Sequence, residues 1–191
     1  MSAFGNDTVW LATCNPRGFH PLEPSAAAIT LEDIAVGLSR RNRFGGFTSL
    51  PYTVAQHSVA VSRAVPEKDA AWGLLHDAAE AYLGDWPRPW KSRLYVDTPM
   101  TGGHALFPLE QIETEILEEV AQRFGLPWPI PSSVWEADDR MMATEIRDLF
   151  RETPPALAGV TARPFPDRVD AQFYPIAHER FLARAGELSI E

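Results

Sequence analysis

Apolar positions recur at helical spacing along most of the chain. Leu31, Ile34, Ala35 and Leu38 follow a start signal at Thr30 and Asp33 and predict a helix to about Arg40, before Gly45 and Gly46. Val54, His57, Val61 and Ala64 repeat at three and four residues as far as Pro66 and predict a second. The third, from about Glu67 to Leu83, is nearly continuous in Ala, Leu and Trp. Pro87 and Pro89 each remove a donor and restrict the residue before them, so a loop is expected after it. Residues 94–107 carry Gly, Pro and Thr without a period and read as a surface loop. Ile112, Ile116, Leu117, Val120 and Phe124 mark a fourth helix closed by Gly125 and Pro127, and a fifth runs from about Pro131 to Arg151. A proline-rich loop over 154–167 precedes a last amphipathic helix over about 171–185. No stretch alternates as a strand, and no internal repeat is present. The expected fold is all-α, a single-domain bundle of about five to six helices over residues 29–191. A turn-rich N-terminal arm over 1–28, with a short apolar run around Val9 to Ala12, precedes it.

Composition narrows the chemistry more than the fold. The chain has 191 residues, 45% apolar and 23% charged, ordinary values for one globular domain. Cys14 is its single cysteine, so an intrachain disulfide and a Cys-rich zinc site are excluded, and any metal must be held by imidazoles and carboxylates. The first residues lack a basic and apolar leader, and no stretch approaches the ~20 apolar residues of a membrane span, so a cytoplasmic protein without membrane contact is expected. A formal charge of −9 disfavours long nucleic acid as a partner but permits a small phosphorylated one where cations are concentrated. Arg40, Arg41 and Arg43 are such a concentration; taken alone, they read as a solvated cluster at a helix C-terminus.

Within the third helix, His76, Asp77 and Glu80 are the strongly polar side chains of a segment apolar on nearly all sides, and no Lys or Arg lies there to pair with them. A buried carboxylate acquires a partner, gains a proton or binds a metal. His57 interrupts the apolar stripe of the second helix, and Asp138 shares a face of the fifth with Val134, Met141, Met142 and Glu145. Each alone is ordinary: a lone histidine is more often a satisfied core residue, and a lone aspartate a surface charge. Three helices that each place an imidazole or carboxylate at a core position form a ligand set for a divalent transition metal. Such a site polarises a phosphoryl oxygen and activates water, the requirements of phosphate-ester hydrolysis. Glu80, one turn beyond His76, suits either proton transfer or orientation of a ligand imidazole.

The segments LSRRNRFGG, AQHS, LLHDAAEAYLGDWPRP and EADDRMMATEIRDL, in that order, resemble the HD-domain metal-dependent phosphohydrolases over about Ile29 to Leu149. The branch resembled includes bacterial 5′-deoxynucleotidases and phage deoxyadenosine triphosphate triphosphohydrolases. The resemblance implies an HD-type helical bundle with His57, His76, Asp77 and Asp138 as ligands of one divalent ion, manganese, cobalt, zinc or iron. It implies Glu80 as the proton-handling acid, with Asp77 also in the catalytic centre. Arg43 matches a phosphate-holding arginine, Phe44 an aromatic against the nucleoside, and Asp85 and Lys91 sugar- and phosphate-contacting positions. On this basis Arg43 is functional, while Arg40 and Arg41 remain surface charges; a guanidinium also offers phosphate a fork that lysine lacks. Phe47 stands where many relatives have a histidine, a departure that bears on substrate preference. The implied reaction is hydrolysis of the 5′-phosphate ester of a deoxynucleoside mono- or triphosphate. The alternative is an idle HD-fold module that binds a nucleotide or a partner. The exposed faces of the fourth and last helices leave room for a homo-oligomer.

Overall fold

The computed structural model of the chain describes residues 11–100 and 103–191. Helix α1 (Leu31–Arg40) starts where Thr30 accepts the Asp33 N–H at 3.1 Å, and buries Ile34, Ala35 and Leu38. Helix α2 (Val54–Ala64) starts in a capping box: the Gln56 N–H reaches the Thr53 hydroxyl at 3.3 Å, and the Gln56 carboxamide accepts the Thr53 N–H at 3.0 Å. The helix expected over 67–83 is divided into α3 (Ala70–Leu75) and α4 (Glu80–Leu83). Between them His76 and Ala79 keep helical dihedrals, but the hydrogen bonds tighten to three-residue spacing, as from the Ala78 N–H to Leu75 O and from the Glu80 N–H to Asp77 O, both 2.9 Å. Such a tightened turn brings side chains three residues apart into line, here Asp77 and Glu80.

The loop expected around Pro87 and Pro89 contains one helical turn, α5 (Arg88–Lys91). Proline costs little there, because the first N–H groups of a helix have no internal partner. The expectation of a wholly helical chain is corrected at residues 94–107, where β1 (Tyr95–Met100) and β2 (Gly103–Pro108) form an antiparallel hairpin with Tyr95 opposite Pro108 and Thr98 opposite Ala105. Val96 and Phe107 touch the core from it while the rest of β2 is exposed or half-buried, so no apolar alternation announces it. Helix α6 (Leu109–Phe124) ends at Gly125, whose φ of +64° is the left-handed cap that glycine takes without strain. Helix α7 (Ser132–Leu149) and helix α8 (Tyr174–Glu187) complete a mostly helical, single compact domain with one small sheet.

The arm expected over 1–28 is described from Leu11 onward; residues 1–10 lie outside the described residues. Leu11 and Phe19 pair as an antiparallel bridge, and Phe19 is fully buried, stacked on Tyr82 with ring centroids 3.9 Å apart. Two glycines set how closely the first four helices pack. A Cβ on Gly37 would meet the Ala81 Cβ at 2.7 Å, and one on Gly73 would meet the Ser62 Cα at 2.7 Å. Both positions therefore require glycine for α1 to approach α4 and α2 to approach α3, and the second approach places His57 beside His76.

Candidate functional site

His57 of α2 and His76, just beyond α3, point their Nε2 atoms at each other, 3.3 Å apart and buried. Each ring is tied back through Nδ1: His57 to the Glu145 carboxylate at 2.6 Å, His76 to the Gly73 carbonyl at 3.0 Å. With the Nδ1 protons donated there, both Nε2 atoms face a common point where either a proton or a metal ion can sit, the orientation that a ligating imidazole adopts. The carboxylate of Asp138, from α7, stands 3.1 Å from His57 Nε2, and Asp77 Oδ2 stands 3.4 Å from His76 Nε2 and 3.7 Å from His57 Nε2. Ligand atoms of His57, His76 and Asp138 all lie within 4.8 Å of one another, so these three could hold a metal ion, with Asp77 adjoining. Asp77 Oδ2 and Glu80 Oε2 are buried and accept no hydrogen bond, an expensive state for carboxylate oxygens unless a cation or a proton serves them.

The electrostatics point the same way. Burial and the Arg43 charge push the His57 pKa down, yet Glu145 and Asp138 outweigh them and hold it at about 10. Burial opposes ionisation of Asp138, Asp77 and Glu145, but the facing imidazoles and Arg43 keep all three below their ordinary values. The cluster demands positive charge at its centre. Glu80 behaves oppositely: burial first, then Asp77 and Asp85, raise it well above the carboxylate range, and Lys91 and Arg43 offset this only in part. The pKa values of neighbouring acids are thereby pushed apart, a division that acid–base chemistry uses.

The site forms the floor of a cleft of about 880 Å³ that Arg43, Phe44, Asp85 and Lys91 also line. Arg43 is buried against Glu145, donating from Nε at 3.3 Å and Nη2 at 3.1 Å, while its Nη1 faces Asp77 at 3.8 Å. Phe44 holds a left-handed backbone (φ 54°, ψ 31°), costly for a bulky residue, with its ring edge-on to Phe150 at 5.2 Å. Lys91 binds Glu113 at 2.6 Å and Glu80 at 3.4 Å, and those carboxylates raise its pKa against burial. Asp85 is raised by burial, with Arg43 opposing. The structure thus brings the site residues expected from the sequence to one cleft, with His57 beneath its floor, and places Asp139, with its side chain 51% exposed, outside it on Arg88.

Two contacts had no sequence signal strong enough to find them. Glu145 bridges His57 and Arg43; its spacing of seven from Asp138 on one apolar face was the available hint. Arg88, on the proline-flanked turn, reaches Asp138 Oδ2 at 3.2 Å. Trp86 and Trp128 line the cleft as well, and Trp128 packs on Trp72 with centroids 5.9 Å apart.

No family profile matches the chain. It is 39% identical over 137 residues to the uncharacterized protein YfdR of Escherichia coli (strain K12), covering 70% of each chain. It is 32% identical over 140 residues to an uncharacterized protein of Rhodobacter capsulatus, covering 67% of this chain and 64% of that one.

Proposed function

The chain belongs to the family of the Escherichia coli protein YfdR, and we propose that it is a metal-dependent phosphohydrolase of the HD type that acts on a small deoxynucleotide. The observation that carries this reading is the pair of inward-facing Nε2 atoms with the Asp138 and Asp77 carboxylates against them, at the base of a cleft that also holds Arg43. His57, His76, Asp77 and Asp138 would hold one divalent ion; the donor set, two imidazoles and two carboxylates, suits manganese, cobalt, zinc or iron. The chemistry such an ion supplies when bound is polarisation of a phosphoryl oxygen and activation of water.

The chain's own groups do the rest. With the Nε side of its guanidinium taken by Glu145, Arg43 turns its Nη1 end toward Asp77, at 3.8 Å, and the cleft, where it would meet an anionic phosphate. Glu80, whose pKa burial raises, is placed to hand a proton to a leaving oxygen or take one from water. Lys91 holds Glu80 in place and adds a second positive charge to the cleft. Phe44 presents an aromatic edge where a nucleoside would lie, and its left-handed backbone keeps it beside Arg43.

Product chromatography tests the reading. Manganese-supplemented protein is incubated with each deoxynucleoside mono- and triphosphate, with a His76→Ala, Asp77→Ala control. Deoxynucleoside with inorganic phosphate identifies a 5′-nucleotidase, and deoxynucleoside with intact triphosphate a triphosphohydrolase. Products that form equally in the control, or no product from any of these substrates, would count against it.

A further inference from the structure

We propose that Glu145 is a positioning residue for both halves of this site at once, fixing the tautomer of His57 and the aim of Arg43 through its two carboxylate oxygens; the proposal rests on the phosphohydrolase reading. Glu145 is fully buried on α7. Its Oε1 faces His57 Nδ1 at 2.6 Å, and its Oε2 accepts from Arg43 Nη2 at 3.1 Å and Nε at 3.3 Å. An ionised carboxylate is acceptor-only on both oxygens, so it serves donors on both sides. No neutral side chain of the same shape does this.

The consequence for His57 is specific. A proton on Nδ1 directed at Glu145 leaves Nε2, which faces His76 Nε2 and Asp138, as the atom at which a metal ion would take the place of a proton. His76 reaches the same state by a different route, through the Gly73 main-chain carbonyl. One imidazole is therefore set by the backbone and the other by a carboxylate that also holds the arginine. For Arg43, capture of the Nε and Nη2 atoms by Glu145 turns Nη1 toward Asp77 and the cleft. The arginine lies 102 residues from Glu145 in sequence, so the contact also fixes the loop of Arg43 and Phe44 against α7.

Gln in place of Glu145 is nearly isosteric but must turn its NH₂ to one of the two donors. Toward His57 it drives the ring proton to Nε2 and blocks the ligating lone pair; toward Arg43 it sets donor against donor. The test titrates metal-free protein with Mn²⁺, then the Mn²⁺-loaded protein with inorganic phosphate, by calorimetry. Glu145→Gln should weaken at least one of the two affinities by about 10–100-fold, and Glu145→Ala both. Gln at wild-type affinity for both ligands, or Ala with just one affinity lost, overturns the shared role while leaving the metal-site reading intact. Wild-type protein that takes up no Mn²⁺ overturns the reading and the inference together. Should the variants fail to fold, nitrogen-15 NMR of Zn²⁺-loaded wild-type protein decides: a slowly exchanging proton on His57 Nδ1 is expected, and a proton on His57 Nε2 contradicts the proposal.

Discussion

Two adjacent aspartates on α7 have opposite fates, and they make the sharpest test at the scale of the residue. Asp138 is 7% exposed and 3.1 Å from His57 Nε2, whereas the Asp139 side chain is half in solvent. Asp138→Asn should weaken Mn²⁺ binding at least about tenfold and Asp139→Asn less than about twofold, because exposed charge pairs contribute little; calorimetry of the two variants side by side checks it. The members of the cluster were legible in the sequence for one reason. His57, His76, Asp77, Glu80 and Asp138 are ionisable groups at positions where an apolar period calls for core. Glu145 shared that face but stood among Thr144, Arg147 and Asp148, a neighbourhood where an acid near the end of a helix is ordinary. Its burial goes with contacts to Arg43 and His57, 102 and 88 residues away in sequence. The left-handed backbone of Phe44 was equally hidden, since nothing in a bulky aromatic announces a positive φ.

Elements bring the residues together, and glycine controls the closest approach. Gly73→Ala would set a Cβ 2.7 Å from the Ser62 backbone; displacement of α3 from α2 should lower stability by about 1–3 kcal/mol and weaken Mn²⁺ binding in the same variant. Urea unfolding together with calorimetry reads both, and unchanged values would show that the two helices tolerate separation. A second device fastens the proline-rich segment to α7. Asp148 accepts from Arg147 Nε and Nη2, both at 2.7 Å, and from the Val169 N–H at 3.0 Å, while Arg147 donates onward to Phe165 O and Asp167 O. The Arg147 contact first, and the Val169 N–H after it, hold the Asp148 pKa below the ordinary value against burial. A carboxyl lowered in the folded state contributes stability above its unfolded pKa, near ~3.9, and loses that contribution as pH falls through the folded value. Asp148→Asn should therefore lower Tm at pH 7, with the difference from wild type shrinking below about pH 4; a constant difference across that range would assign the effect to packing. Of the elements, the amphipathic helices were legible from their period. The division of α3 from α4 was not, because the apolar spacing stays helical through it while the hydrogen-bond partners change. The hairpin over 95–108 was hidden because few of its side chains meet the core.

The whole molecule is an acidic, mostly helical domain whose charge and cleft act together. Among the described residues no helix is long and apolar enough to cross a membrane, which agrees with the hydropathy pattern from which none was expected. With a formal charge of −9, the protein should not retain a single-stranded DNA oligomer at about 0.15 M salt, as gel-shift or fluorescence anisotropy would report. The metal reading has a global consequence as well. An ion that binds the folded chain at about 100 times its Kd adds about 2.7 kcal/mol to folding stability, which for a chain of this length raises Tm by about 5–10 °C. Chelation should reverse the rise, and Asp138→Asn, with binding weakened at least about tenfold, should cut it by about half or more at the same Mn²⁺ concentration. The broad architecture was legible because helical period and a single uninterrupted core dictate it, whereas the packing that brings three helices to one point depends on contacts such as Gly73 against Ser62 that no local pattern encodes. The central question is whether His57, His76, Asp77 and Asp138 hold an ion, and metal analysis of purified protein after equilibrium dialysis against Mn²⁺ asks it directly. One ion per chain, lost in both His57→Ala and His76→Ala at retained helicity, is the predicted result; no ion in the wild-type protein, or full occupancy in both variants, would contradict it.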